Sequence, residues 1–215
     1  MTSSFKNEER LACAIARLIG DANHVAVGAA SPIPAAGAFL LKQKNPSLRI
    51  SLLQKRRGNP FTEGSRELFD LAGQGRIDVF FLGGAQIDGE ANINLVRAEG
   101  RRFPGSFGSA FMYFASRKTI LFREEHSLRV LVPKVEFISA PGWSPPGVER
   151  RGGPAALVTG KALFSWRLRP TRVRAAPRDL LPQPGGRQVP GNDPQQHTRT
   201  WPGSGGGLQR GQWNA

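Results

Sequence analysis

Apolar residues recur at spacings of three and four through Leu11, Ala14, Ile15, Leu18 and Ile19, which predicts an amphipathic helix opened by Asn7 as its cap and closed by Gly20. His24 to Val27 then reads as a short strand. The small-residue loop Gly28-Ala29-Ala30-Ser31-Pro32-Ile33-Pro34 leads from it into a second helix, from about Ala35 to Lys42. Strand, loop and proline-opened helix make a βα unit whose helix N-terminus suits an anion, although small residues serve close helix–sheet packing equally well. Arg49 to Leu53 is the next strand and Ser65 to Ala72 the next helix. Ile77 to Leu82 is apolar apart from Asp78, and its Val, Phe and Leu content fits a strand buried on both faces. Farther on, Phe111 to Phe114 is apolar, and Thr119 to Phe122 and Val130 to Val132 read as strands.

The pattern changes after Leu82. Gly83 and Gly84 permit a tight turn and a close backbone approach to a ligand, and Gln86, Asp88, Asn92 and Asn94 follow at short intervals with Ile87 and Ile93 as apolar anchors. Open α/β sheets bind their ligands beyond the carboxyl ends of strands, so this stretch is the first candidate site. A turn whose amides cap backbone groups locally uses the same residue types. A second glycine-serine loop, Arg102 to Ala110, offers the amides freed by Gly105 and Gly108 and the hydroxyls of Ser106 and Ser109 to a thioester or a phosphate; a serine-capped helix start is its plainer reading. Glu125 beside His126 is the residue pair for general acid–base work, and equally a solvated turn between strands.

Composition adds limits. The 215 residues suffice for one α/β domain with a sizeable core. With Cys13 as the lone cysteine there is no internal disulfide, so the chain is expected to be cytoplasmic, with Cys13 a small core residue on the first helix. No apolar run reaches the roughly 18 residues of a membrane span. The formal charge is +14, of which eight arginines and two aspartates after residue 164 contribute +6. A moderately basic globular part is compatible with an anionic ligand. No helix-turn-helix, zinc-ligand or RNA-binding aromatic motif accompanies the charge, so nucleic acid is not the expected partner and no metal site is expected. Residues 165–215 are rich in Pro, Gly and Arg and lack lysine. They are expected to form a low-complexity tail, disordered or the product of a frameshift in GC-rich coding DNA, behind a domain of residues 1–164.

Gly83-Gly84-Ala85-Gln86-Ile87-Asp88 followed by Asn92-Ile93-Asn94 resembles the GG-x-Q-[VI]-D-x-x-GN-[VI]-N signature of the β subunits of family I coenzyme A transferases, the glutaconate CoA-transferase type. Ala91 stands where that signature has glycine, so the turn must tolerate a Cβ. Gly28 to Ala38, and His126 and Arg129 through Lys134, Glu136, Phe137 and Ile138, are similar to further stretches of the family, and the resemblance spans roughly residues 10–164. It implies an α/β fold with an open, mostly parallel sheet flanked by helices. It also implies an α-subunit partner that completes the active site, and a coenzyme A thioester as substrate with no covalently bound cofactor. Gly83, Gly84, Gln86, Asp88, Asn92, Asn94, Gly105, Ser106, Gly108 and Ser109 are then the expected substrate contacts.

The family's nucleophilic glutamate should follow the second strand, where this chain has Gln54, Lys55 and Arg56. Neither an amide nor an ammonium accepts an acyl group as a carboxylate does. Glu63 is the nearest carboxylate, at the wrong spacing and well placed to begin a helix, while Lys55-Arg56-Arg57 reads as a phosphate contact or a solvated loop. The resemblance thus leaves three expectations: CoA transfer between carboxylates; ring-opening hydrolysis of a cyclic acyl-CoA, as in the steroid-catabolic branch whose glutamate lies on the α subunit; or an inactive, orphaned CoA-binding subunit.

Overall fold

The structure is a computed structural model that describes residues 5–53, 61, 63–167 and 172–175. In order the chain forms α1 (Asn7–Ile19), β1 (His24–Val27), α2 (Pro32–Lys44), β2 (Arg49–Leu52), α3 (Ser65–Gly73) and β3 (Val79–Leu82). Two short hairpins follow, β4 (Gln86–Ile87) with β5 (Ile93–Asn94) and β6 (Arg97–Ala98) with β7 (Arg101–Arg102). The chain then continues through α4 (Ser109–Ala115), β8 (Lys118–Arg123), β9 (Pro154–Thr159), β10 (Leu163–Arg167) and β11 (Arg172–Ala175). The main sheet has the order β11-β10-β9-β8-β3-β1-β2. Strands β2, β1, β3, β8 and β9 run parallel, and β10 and β11 add antiparallel pairs at one end. The expected open, mostly parallel sheet with flanking helices is the one observed.

Helices cover both faces of the central strands, and alternation along each strand divides the core in two. Val25, Val27, Val79, Phe81 and Ile120 point to the side of α1, where Leu11, Ile15 and Ile19 meet them. Ala26, Phe80, Leu82 and Leu121 point the other way, into a larger core with Leu68, Met112, Tyr113, Ile87 and Ile93. Ile87 of β4 and Ile93 of β5, after the Gly83-Gly84 turn, therefore belong to the second layer.

Several local expectations change. Asn7 is the first helical residue and its amide donates to the Gly160 carbonyl at 3.2 Å, while the Glu9 carboxylate accepts the Lys6 N–H at 3.0 Å. Cys13 is exposed on α1, because the buried stripe runs through Leu11, Ala12, Ala14, Ile15 and Ile19. Helix α2 begins at Pro32, whose fixed φ suits a first helical turn. Val130 to Val132 forms no extended strand. Leu131 makes a single bridge to Ile87 before Pro133, which has no N–H to continue a ladder. Asp78 interrupts the apolar run for a structural reason: its carboxylate accepts the N–H groups of Asn23 at 2.8 Å and His24 at 3.1 Å and pairs with Arg117 at 2.8 Å. Burial alone would raise the Asp78 pKa; those donors and the guanidinium hold it below its ordinary value instead.

A boundary at residue 164 falls inside a strand. β10 runs on to Arg167, and Trp166 is buried with its indole N–H donating to the Gly89 carbonyl at 3.3 Å. β11 pairs with β10 through Arg172↔Arg167 to Ala175↔Phe164. The rest of the expected tail, residues 168–171 and 176–215, lies outside the described residues.

Candidate functional site

Strand β1 lies between β2 and β3, so the winding direction of the sheet reverses between β1 and β3. Such a reversal opens a crevice at the carboxyl ends of the strands. The turn after β1 (Gly28, Ala29, Ala30, Ser31) and the turn after β3 (Gly83, Gly84, Ala85) border a cleft of about 1180 Å³ there. That exceeds the range of about 300–1,000 Å³ usual for small-molecule pockets and gives room for an extended ligand. Gly105, Ser106, Gly108 and Ser109 line the cleft with Leu68, Phe69, Phe107 and Met112. Leu53 and Phe61 also line it, and Gln54, Lys55, Arg56 and Arg57, between them in sequence, lie outside the described residues. The Ser109 hydroxyl is buried and has no hydrogen-bond partner among the described residues.

The four polar side chains of the first candidate stretch do not line this cleft. Gln86, Asp88, Asn92 and Asn94 are 3%, 2%, 8% and 0% exposed, and their hydrogen-bonding groups are used inside the protein. The Asn94 amide donates to Gln86 Oε1 at 2.8 Å and to the Arg97 carbonyl at 2.6 Å, and its Oδ1 accepts the Val96 N–H at 3.1 Å. Gln86 passes the connection on: its amide donates to Glu136 at 2.8 Å and its Oε1 accepts the Glu136 N–H at 3.1 Å. The Asp88 carboxylate gathers the N–H groups of Glu90 and Asn92, the Asn92 amide and the Val135 N–H. Burial nonetheless dominates and raises its pKa against those four donors. Asn92 Oδ1 accepts the Gly142 N–H at 3.1 Å. The network ties the β4–β5 hairpin to the 135–142 segment and forms the support behind the cleft.

The glycines have packing reasons too. A Cβ on Gly84 would stand 2.8 Å from the Gln86 carbonyl oxygen and 3.0 Å from Ile93 Cγ2. On Gly142 it would meet the Glu90 carbonyl oxygen at 2.1 Å, because this residue presses against the turn at Ala91. Ala91 itself has φ +61 and is fully buried, in the left-handed region that glycine adopts freely. Its carbonyl accepts the Tyr113 hydroxyl at 3.0 Å, and burial drives the Tyr113 pKa well above its ordinary value.

Charge enters the cleft at one end, through Arg123, Glu124, Glu125 and Arg129. Glu125 accepts the Ser127 hydroxyl at 2.6 Å and forms a bidentate pair with Arg129, with Arg123 at 3.7 Å. The Ser127 hydroxyl, aided by Arg129 and Arg123 against the effect of burial, lowers the Glu125 pKa. His126 is not among the lining residues; its Nδ1 lies 2.8 Å from Thr159 Oγ1 and its ring stacks on Phe164. The Glu125–His126 pair thus separates, and the charged couple at the cleft is Glu125–Arg129, four residues apart. Glu63 is exposed in the turn before α3, pairs with Arg66 at 3.3 Å and does not line the cleft.

Among the described residues no helix is long and apolar enough to cross a membrane. No protein-family model matches the chain. Over 126 residues it is 30% identical to the B-type subunit of glutaconate CoA-transferase from Acidaminococcus fermentans, covering 50% of this chain and 47% of the relative. Over 96 residues it is 36% identical to the B-type subunit of 3-oxoadipate CoA-transferase from Pseudomonas knackmussii, covering 40% and 36%. The matched part is therefore about half the length of these relatives or less. Among solved structures, glutaconate coenzyme A-transferase from Acidaminococcus fermentans superposes with a TM-score of 0.68 at 24% identity, over 81% of this chain and 79% of that one. IpdAB of Rhodococcus jostii RHA1 gives 0.68 at 22% identity, over 80% and 77%. At these identities the structures testify to the shared fold. In sequence the chain is thus similar to the B-type subunits of two CoA-transferases, and in fold to the solved glutaconate coenzyme A-transferase.

Proposed function

We propose that this chain is the B-type subunit of a two-subunit enzyme that acts on acyl-CoA thioesters and moves coenzyme A between carboxylates, with an A-type subunit completing the site. The observation that carries the reading is the cleft at the β1/β3 reversal, bordered by glycine turns and lined by Ser109, whose hydroxyl has no partner among the described residues, in a chain similar to the B-type chains of CoA-transferases. Gly83, Gly84, Gly105, Ser106, Gly108 and Ser109 are the proposed thioester contacts. Gln86, Asp88, Asn92 and Asn94 support the wall behind them through the network around 135–142.

A second reading has one observation in its favour. The sequence after β2 holds Gln54, Lys55 and Arg56, no carboxylate, and the cleft carboxylate Glu125 is held by two arginines. A partner-supplied carboxylate would then activate water, and the complex would hydrolyse a cyclic acyl-CoA. Incubating the complex with acyl-CoA and trapping with hydroxylamine or borohydride separates the two. A glutamyl adduct with CoA exchange establishes transfer, and turnover without an adduct rejects it in favour of hydrolysis. Coenzyme A binding without turnover identifies an inactive subunit.

A further inference from the structure

The cleft holds a guanidinium whose donors are unspent. Arg123 ends β8, and Leu121, two residues before it, pairs with Leu82 directly ahead of the Gly83-Gly84 turn. A Cβ on Gly83 would stand 3.1 Å from the Phe122 carbonyl oxygen, so the end of β8 presses against that turn and brings Arg123 to the cleft beside it. Four charged residues line this end: Arg123, Glu124, Glu125 and Arg129. Glu125 is occupied by the Ser127 hydroxyl and by Arg129 as a bidentate pair, which leaves Arg123 Nη2 3.7 Å away, beyond a hydrogen bond. Arg123 Nε is buried without a partner among the described residues, and no ion pair there joins Arg123 to the exposed Glu124. An arginine fork left open in a cleft suits a carboxylate, whose two oxygens match its N–H groups.

We propose that Arg123 selects the acid: it pairs with a second carboxylate of the substrate, distal to the one that exchanges coenzyme A, so the preferred acids are dicarboxylic. The proposal rests on the CoA-transfer reading above and adds a substrate class and the residue that reads it. Charge balance decides against the reacting carboxylate as the partner. In transfer that group becomes a neutral thioester, and a guanidinium matched to it would lose its counter-charge in the product, with Nε again buried and unpaired. A distal carboxylate keeps its charge in the free acid and in the acyl-CoA alike. The position agrees, since the glycine turn proposed for the thioester lies beside the end of β8. Leu95, Phe103 and Phe122 add apolar lining for the methylenes that join the two carboxyl groups. Because Arg123 donates to no described residue, its replacement leaves the hydrogen bonds of the fold in place.

The test uses the full chain in the complex purified from its source cells, as wild type, Arg123→Gln and Arg123→Lys, with Arg17→Ala at an exposed position of α1 as the control for lost charge. Transfer from acetyl-CoA is measured to glutarate and to pentanoate, acids of equal chain length that differ in the second carboxylate. The wild type and Arg17→Ala should show the lower KM for glutarate. Arg123→Gln should raise that KM by about 10- to 100-fold, the loss of hydrogen bonds between charged groups, and leave the KM for pentanoate and for acetyl-CoA in place. Arg123→Lys, which keeps the charge without the fork, should fall between. A wild type indifferent to the second carboxylate overturns the proposal, as does an equal rise for both acids. A rise in the KM for acetyl-CoA alone also overturns it and assigns the guanidinium to the phosphates of coenzyme A. Transfer to neither acid by the wild type refutes the CoA-transfer reading instead. Calorimetric titration of the same proteins with the two acids, which needs no turnover, then decides on Arg123: a preference for glutarate that Arg123→Gln abolishes upholds it, and equal binding of both acids overturns it.

Discussion

Replacing Asn94 by alanine separates a structural role from a ligand-binding one. The side chain is fully buried and makes three bonds of 3.1 Å or less, to Gln86 Oε1, the Arg97 carbonyl and the Val96 N–H. Each such bond contributes about 0.5–1.5 kcal/mol net, and a partner left unpaired in the interior costs about 1–3 kcal/mol. Gln86 Oε1 keeps the Glu136 N–H, so its loss is partial, whereas the Arg97 carbonyl and the Val96 N–H lose the Asn94 partner. The sum is about 3 kcal/mol of lost stability. With a urea slope of about 2 kcal/mol per molar, the midpoint of unfolding followed by far-UV circular dichroism should fall by about 1.5 M. Ser106→Ala, at the half-buried cleft rim, should leave the midpoint in place. If Asn94→Ala shifts the midpoint by less than about 0.3 M while abolishing coenzyme A binding, the side chain is a ligand contact and the reasoning from the hydrogen-bond network fails.

Gly142→Ala places a Cβ 2.1 Å from the Glu90 carbonyl oxygen, a backbone atom that cannot rotate away. Overpacking ordinarily costs about 1–3 kcal/mol, and this site should reach the upper end; an unchanged melting temperature would refute the contact. His24, 5% exposed between Ser51 and the Arg76 carbonyl, has its pKa lowered by burial first and by Arg49 second. Since the unfolded chain then takes up the proton first, stability should be full above about pH 6.5 and decline as pH falls toward the folded value. His24→Gln should flatten that part of a stability–pH curve, and an identical slope in both proteins would count against it. Trp166→Ala should cost about 3–5 kcal/mol in chemical denaturation, and ending the chain at Phe164 at least as much. A truncated chain with parental stability would show that β10 contributes nothing beyond that point.

Periodicity makes the layers legible in the sequence: the α1 stripe and the apolar runs of β1 and β3 occupy the places their patterns indicate. The cleft is half legible. Glycine turns after β1 and β3 mark where an open sheet binds, and the Gly105–Ser109 loop joins them. The amide and carboxylate cluster misleads, because residue types reveal donors and acceptors but not who meets them. Its partners come from 135–142, some fifty residues away, and only the folded chain brings them within 3.5 Å. Arg150 and the Glu125–Arg129 couple carry no signal in the sequence for the same reason. Ala91 is legible as a turn residue that must accept a Cβ, and its φ of +61 shows the strain involved.

Arg150 gives the molecule a mechanical property. Its guanidinium donates to the carbonyls of Pro141 and Gly142 on one side and of Tyr113 on the other, and lies over the rings of Tyr113 and Phe114. One side chain thus couples helix α4 to the segment that braces the rear wall. Displacing that helix would therefore have to break these bonds or carry the carbonyls of Pro141 and Gly142 along with it.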